Sequence, residues 1–199
     1  MKLQSWNDRT LTVGAIHTPI SGAGATRGFT LIELIVTIAI VAILAGIAIP
    51  SFTSMIAKNR AAALTNELSG ALNLAYSEAV KRSRRVTVCR SVNVDTATPG
   101  CSTATGTNWS TGWIVFVDAA TTGTIDTGDT RLKIFQPIAR STSITGGSAF
   151  ANYVSFLPTG WVDMSGSEES FIICVPPEKR TISINPAGRF KVDDSGTCS

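Results

Sequence analysis

The chain has 199 residues, of which 44% are hydrophobic and 16% are charged, and its formal net charge is +3. This length suits one domain with appendages, and the apolar composition excludes an intrinsically disordered chain. The small net charge argues against a polybasic nucleic-acid binder, and the single histidine argues against the common zinc and Ser-His-Asp centres.

One long apolar segment lies near the N-terminus. No charged residue occurs between Leu34 and Ala57, and roughly 20 apolar residues in a helix span a bilayer. Residues 1–28 carry three basic residues and one acidic residue. The positive-inside rule therefore predicts that this flank stays in the cytoplasm, with the rest of the chain in the periplasm or outside the cell.

A short motif precedes the apolar segment. It reads Gly28-Phe29-Thr30-Leu31-Ile32-Glu33. The Glu33 carboxylate stands alone at the edge of an apolar helix, where a charge is costly and usually has a partner or a function. The motif resembles the processing signal of type IV pilins and type II secretion pseudopilins. The resemblance implies that a prepilin peptidase cleaves after Gly28, that Phe29 is then N-methylated, and that Glu33 pairs with the N-terminal amine of a neighbouring subunit.

Pro50 lies near the end of the apolar segment. Proline removes one backbone hydrogen bond and kinks or locally unwinds a helix. The resemblance to pilins implies that this unwinding accompanies packing into a fibre, although a plain kink without an assembly role stays open.

The residues after Pro50 predict a helix packed on a sheet. Apolar residues recur at spacings of three and four, at Leu64, Leu68, Ala71, Leu72, Ala75 and Ala79, and we expect the helix to end near Arg84. Seven short β-rich segments follow, at 86–92, 112–118, 131–138, 152–157, 171–175, 180–185 and 189–192. Short connections favour antiparallel pairing, so the sequence predicts an α+β fold, and the resemblance to pilins implies a pilin-like arrangement of the whole chain. Its parts are a cleaved leader at 1–28, a transmembrane and assembly helix at 29–57 and a periplasmic head at 58–199, with loops at 93–111 and 119–130.

Two segments of the head narrow the resemblance. Residues 108–118, Asn-Trp-Ser-Thr-Gly-Trp-Ile-Val-Phe-Val-Asp, and residues 185–192, Asn-Pro-Ala-Gly-Arg-Phe-Lys-Val, are similar to the GspH/FimT group of minor pilins and pseudopilins. The resemblance implies a low-abundance subunit at or near a fibre tip. Its partners would be major and minor pilins and an inner-membrane assembly platform. A type IV pilus and a type II secretion pseudopilus both stay open, because they share the assembly signal.

A candidate DNA-binding element lies near the C-terminus. Members of this group implicated in natural transformation bind DNA through Gly-Arg-x-Arg, which Gly188, Arg189 and Lys191 match with Lys in place of the last Arg. Lysine keeps the positive charge but lacks the planar guanidinium group with which arginine donates two hydrogen bonds to a phosphate. Residues two apart on a strand share a face, and we expect Lys179 and Arg180 of the preceding strand to join them against phosphates of double-stranded DNA. A turn without DNA contact is the alternative.

Four cysteines lie in the part predicted to be exported, where disulfides persist. We expect Cys89–Cys101 and Cys174–Cys198, because each pair closes a short loop, while crossed pairs and free thiols stay open.

Other candidate chemistry is sparse. The densest basic cluster comprises Lys81, Arg82, Arg84, Arg85 and Arg90. Cations at a helix C-terminus interact favourably with the helix dipole, and this stabilisation accounts for most of the cluster without a ligand. We expect Trp109, Trp113 and Trp161 to anchor the core and loops rather than stack on bases. The sequence contains no P-loop, dinucleotide fingerprint or nucleophile elbow, so we expect no catalytic, metal or cofactor site.

Overall fold

The structure is a computed structural model that describes residues 28–102, 104, 106, 108–138 and 141–198. Residues 1–27 of the predicted leader lie outside the described residues. The chain divides into two compact units, residues 1–43 and residues 44–199, and one helix, α1 (Leu31–Arg82), contributes residues to each.

Both ends of α1 have the local signals that begin and end helices. At the start, the Thr30 Oγ1 accepts a hydrogen bond from the Glu33 backbone N–H at 3.2 Å, as in a capping box with Thr at the cap and Glu three residues later. At the end, Ser83 has a positive φ of 51°, and Arg84 N–H donates to the Ala79 carbonyl at 3.2 Å. This arrangement is a Schellman motif, and it ends α1 two residues before the predicted position.

The two halves of α1 differ in their surroundings. Nearly all side chains from Leu31 to Ile56 are exposed, and α1 is, among the described residues, the one helix long and apolar enough to cross a membrane. A buried stripe begins at Ala57 and includes every apolar position predicted for this face: Leu64, Leu68, Ala71, Leu72, Ala75 and Ala79. The backbone is helical through Pro50 in the single chain, and the unwinding that the resemblance implies on packing into a fibre stays a prediction.

In the part of the chain that the structure describes, eight strands form two antiparallel sheets. The strands are β1 (Val86–Arg90), β2 (Trp113–Val117), β3 (Thr130–Phe135), β4 (Ser143–Gly146), β5 (Tyr153–Phe156), β6 (Glu169–Val175), β7 (Glu178–Ile184) and β8 (Phe190–Asp193). The first sheet has the order β3-β2-β1-β5, and the second has the order β4-β6-β7-β8. The predicted α+β class with antiparallel strands is confirmed, and the sequence-based expectation missed only β4 among these strands.

The two central strands of the first sheet, β1 and β2, are covered on both faces. All five residues of β1 and all five of β2 are buried. On one face, the first sheet packs against the buried stripe of α1 and the second sheet in the main hydrophobic cluster. On its other face lies a second cluster, formed by Cys89, Val94, Ile114 and Phe116. The loops after β1 and β2 supply Val94, Cys101 and Ile125 to that second cluster, so these loops act as a cover for the sheet.

Both expected disulfide pairings are present in the structure. Cys89 in β1 is joined to Cys101, which fastens the covering loop to the first sheet. Cys174 in β6 is joined to Cys198, and Cys198 N–H also donates to the Pro177 carbonyl at 3.0 Å. The second disulfide therefore holds the C-terminal segment against the second sheet.

Candidate functional site

The predicted processing site is accessible in the structure. Phe29 is 80% exposed, and Gly28 and Glu33 are also exposed. The Thr30 hydroxyl accepts a hydrogen bond from the backbone N–H of Glu33, so this cap depends on the Thr30 side chain, and the intersubunit role of the Glu33 carboxylate stays a prediction.

The candidate DNA-binding element is part of the turn between β7 and β8. Gly188 N–H donates to the Asn185 carbonyl at 2.9 Å, and Asn185 N–H donates to the Arg189 carbonyl at 3.2 Å. The Asn185 Oδ1 accepts a further bond from Arg189 N–H at 3.0 Å. The asparagine therefore fixes the backbone on both sides of the turn, which leaves the Arg189 side chain exposed next to it.

Gly188 is required by packing. Its φ is +72°, and a Cβ at this position would lie 2.6 Å from the Gly160 carbonyl oxygen and 3.2 Å from the Tyr76 ring. The Val162 N–H also donates to the Pro186 carbonyl at 2.8 Å. The loop between β5 and β6 thus packs directly on the β7–β8 turn, and we call this contact the glycine junction, formed by Gly160 and Gly188.

We expect Gly188→Ala to lower the free energy of unfolding by about 2–5 kcal/mol. Left-handed backbone strain contributes roughly 1–2 kcal/mol, and overlap with the Gly160 carbonyl contributes about 1–3 kcal/mol. Chemical denaturation followed by circular dichroism measures the change. Gly128→Ala is the matched control, because φ there is +99° but a Cβ would meet nothing within 4 Å, so only the strain should appear. Equal losses in the two variants would contradict the packing role.

Lys191 and Lys179 share the outer face of the second sheet. Lys191 pairs with Ser183 and Asp193 pairs with Thr181, and directly paired residues on neighbouring strands point to the same side. Lys179 is four residues from Ser183 on β7, or about 13 Å along the strand. Hydrogen bonds from Ser195, and then the charges of Lys191 and Lys179, hold the pKa of Asp193 below its ordinary value, so this carboxylate partly offsets the two cations.

The expectation that Arg180 joins this face is wrong. Side chains alternate along β7, and the buried residues Ile182 and Ile184 have the same parity as Arg180. Arg180 therefore belongs to the core-side face, where it is partly buried. Lys179 and Arg180 are adjacent on one strand, so they cannot both lie on the face that Lys191 occupies. Of the predicted cations, only Arg189, Lys191 and Lys179 therefore lie along the same side of the hairpin.

Most of the basic cluster after α1 has local partners. Arg82 and Lys81 both pair with Glu78, and the hydrogen bond from Arg82 lowers the pKa of Glu78. Arg90 is only 4% exposed and donates to the Asn152 Oδ1 at 3.0 Å. These contacts support the structural explanation of the cluster.

The tryptophans separate into two groups. Trp109 and Trp113 are fully buried, as expected, whereas Trp161 is 55% exposed. The expectation that Trp161 is a core anchor like Trp109 and Trp113 is therefore wrong, and Tyr76, which is 39% exposed, was not singled out from the sequence. The available signal was the segment Leu157-Pro158-Thr159-Gly160-Trp161, in which turn residues directly precede a large aromatic side chain. Among the described residues, no group of three or more metal-ligating side chains could hold a metal ion.

Two family models match the chain. The model of the type II transport protein GspH matches residues 64–188, and the prokaryotic N-terminal methylation motif matches residues 25–49. No curated protein sequence matches the chain.

The fold is similar to that of the type IV minor pilin FimU from Pseudomonas aeruginosa strain PAO1. The crystal structure in space group P21 has a TM-score of 0.54 and 21% identity, covering 71% of this chain and 94% of FimU. The structure in space group P65 has a TM-score of 0.49 and 21% identity, covering 67% of this chain and 93% of FimU. The similarity to the P21 structure shows a type IV pilin fold.

Proposed function

Because the chain belongs to the GspH family, we propose that it is a minor pilin of a type IV pilus that supports fibre assembly from a position at the tip. The observation that carries the proposal is that α1 combines a membrane-type half and a head-packing half in one helix. An exposed apolar half with the N-terminal methylation motif continues into a half whose buried stripe packs in a pilin head. The proposed role is structural and non-enzymatic. The alternative is a minor pseudopilin of a type II secretion system.

The proposed assembly begins with membrane insertion. Residues 1–28 stay on the cytoplasmic side and the head lies in the periplasm, in line with the basic N-terminal flank. Prepilin peptidase then removes the leader after Gly28, and Phe29 becomes the methylated N-terminus. Residues 29–57 hold the subunit in the inner membrane until it enters the fibre together with other pilins on the assembly platform.

We expect the protein in surface fibres to begin at an N-methylated Phe29. Mass spectrometry of fibres sheared from cells, using the chain with a tag in an exposed loop, measures the mature N-terminus. A mature protein that begins elsewhere would contradict the pilin mechanism. Mature protein that occurs in the periplasm and is absent from sheared surface fibres would favour the pseudopilus alternative.

A second candidate function is DNA binding by the head. It is supported by the exposed Arg189 at the β7–β8 turn and by Lys191 and Lys179 along the same side of the hairpin. These cations would contact phosphates, which carry no sequence information. Asp193 lies on the same face, so we expect weak binding that does not depend on sequence.

We expect Arg189→Ala to weaken duplex binding and to reduce its salt dependence. Three cations give a log-log salt slope on the order of −3, and removal of one cation lowers its magnitude by about 1. Anisotropy titrations of a labelled duplex over several salt concentrations measure both quantities. Lys133→Ala is the charge-matched control, since Lys133 is exposed on β3 of the other sheet. Equal affinity of Arg189→Ala and wild type would contradict DNA binding at this turn.

A further inference from the structure

We propose that Trp161 is a base-stacking residue and that, with Arg189, it makes the β7–β8 turn a site that prefers single-stranded to double-stranded DNA. This inference rests on the proposed DNA-binding function and specifies the form of nucleic acid that the site accepts.

The first observation is that a well-fixed loop presents a large aromatic side chain to solvent. Trp161 is 55% exposed, yet its carbonyl accepts a hydrogen bond from Leu157 N–H at 2.8 Å. Gly160 N–H also donates to the Leu157 carbonyl at 2.8 Å. The backbone on which the indole is mounted is therefore held in place, so a base could stack there with little loss of loop entropy.

The second observation is the position of this loop beside the cations. Trp161 lies between Gly160, which contacts Gly188 at the glycine junction, and Val162, which donates to Pro186 at 2.8 Å. Arg189 directly follows Gly188 in the chain. The exposed indole and the exposed guanidinium are thus carried by two backbone segments that are in direct contact.

A second aromatic side chain borders the same junction. The Tyr76 ring lies against the space beside Gly160 and Gly188, and Tyr76 is 39% exposed. Its inner side is supported by Phe156 in an edge-to-face contact with ring centroids 6.2 Å apart. The junction therefore offers two aromatic side chains, next to Arg189 and with Lys191 further along the hairpin.

This combination of groups suits an unpaired strand. Aromatic side chains stack on base faces, and cations track the phosphates, in proteins that bind single strands without sequence preference. In a duplex the base faces are covered by neighbouring bases, so the indole gains nothing and only the phosphate contacts remain. The phosphate contacts serve both forms of DNA, whereas the indole favours the single strand.

The experiment uses the full chain with Trp6→Phe in a non-ionic polyoxyethylene detergent. The sequence has four tryptophans, and this background leaves two buried indoles and the exposed Trp161. The probes are an oligothymidine and a thymidine–adenine duplex of equal length. We expect the oligothymidine to quench the exposed indole, and we expect Trp161→Ala to weaken its binding about fivefold or more. Duplex affinity should stay unchanged, and Trp161→Phe should retain part of the single-strand affinity.

The outcomes separate this inference from the function on which it rests. Equal single-strand affinity of Trp161→Ala and wild type, with binding that still depends on Arg189, overturns stacking but leaves DNA binding in place. Absence of binding to both probes overturns the two proposals together. Quenching by a neutral oligosaccharide but not by oligothymidine would assign the aromatic pair to sugar rings and also overturn the inference. Thermal melting of each variant excludes misfolding, and quenching in the wild-type chain tests the inference without any substitution at Trp161.

Discussion

Glu33→Gln is expected to reduce incorporation of the subunit into fibres roughly tenfold or more, while the amount of protein in the membrane stays unchanged. Glutamine serves a capping box as well as glutamate does, so α1 should still begin at Leu31. The substitution removes the negative charge, and with it the proposed pairing to a neighbouring N-terminal amine. A charge-assisted hydrogen bond contributes about 1.5–3 kcal/mol, which corresponds to roughly a tenfold or larger effect on binding.

Immunoblots of sheared fibres and of washed membranes measure incorporation and insertion separately. Thr30→Ala is the matched control, because it removes the hydroxyl that accepts the Glu33 N–H but keeps the carboxylate. We expect Thr30→Ala to be incorporated nearly normally. If Glu33→Gln were incorporated normally and Thr30→Ala were not, the role of this segment would be helix capping rather than intersubunit pairing.

Loss of both disulfides is expected to lower the free energy of unfolding by about 6 kcal/mol, enough to unfold a head of ordinary stability near body temperature. The two bridges close loops with sequence separations of 12 and 24 residues, and each closure is worth roughly 3 kcal/mol. Thermal melting of the double variant Cys89→Ser, Cys174→Ser, compared with wild type, measures the effect.

The two bridges should also differ in the rate of reduction. In the first bridge Cys89 is fully buried and only Cys101 is partly exposed, whereas both Cys174 and Cys198 are partly exposed. We therefore expect a mild reductant to open Cys174–Cys198 first, as followed by alkylation and peptide mapping. An unchanged melting temperature after complete reduction would show that the covering loop and the C-terminal segment are held by packing alone.

The helix and most strands could be predicted because their signals are local and repeated. Leu64, Leu68 and Leu72 recur at the helical period, and the stripe that they begin is buried throughout. Strand β4 was missed because Ser143-Ile144-Thr145-Gly146 is short and polar. It is held by pairing with β6, which lies more than 20 residues later in the chain. Long-range pairing of this kind leaves little trace in a short segment.

The candidate site was less predictable for the same reason. Gly188 and Arg189 are visible as a motif, but the need for glycine comes from Gly160, which is distant in sequence. The exposure of Trp161 likewise depends on how two loops meet. In contrast, the separation of Lys179 from Arg180 follows from strand alternation alone, so the sequence contained the information needed to place these two residues on opposite faces.

The order of strands in the first sheet bears on how the head folds. Strand β1 pairs with β2 and also with β5, whose residue Phe156 lies opposite Val86. The pairing of β1 with β5 closes a loop of about 70 residues. It forms slowly because the chain loses conformational entropy before the contacts between the strands lower its free energy. Strands β6, β7 and β8, by comparison, form a local meander. Until β5 arrives, β1 has an open edge that could pair with another chain. Early formation of the Cys89–Cys101 bridge would keep the covering loop on β1 during that interval and shield its apolar face from other unfolded subunits.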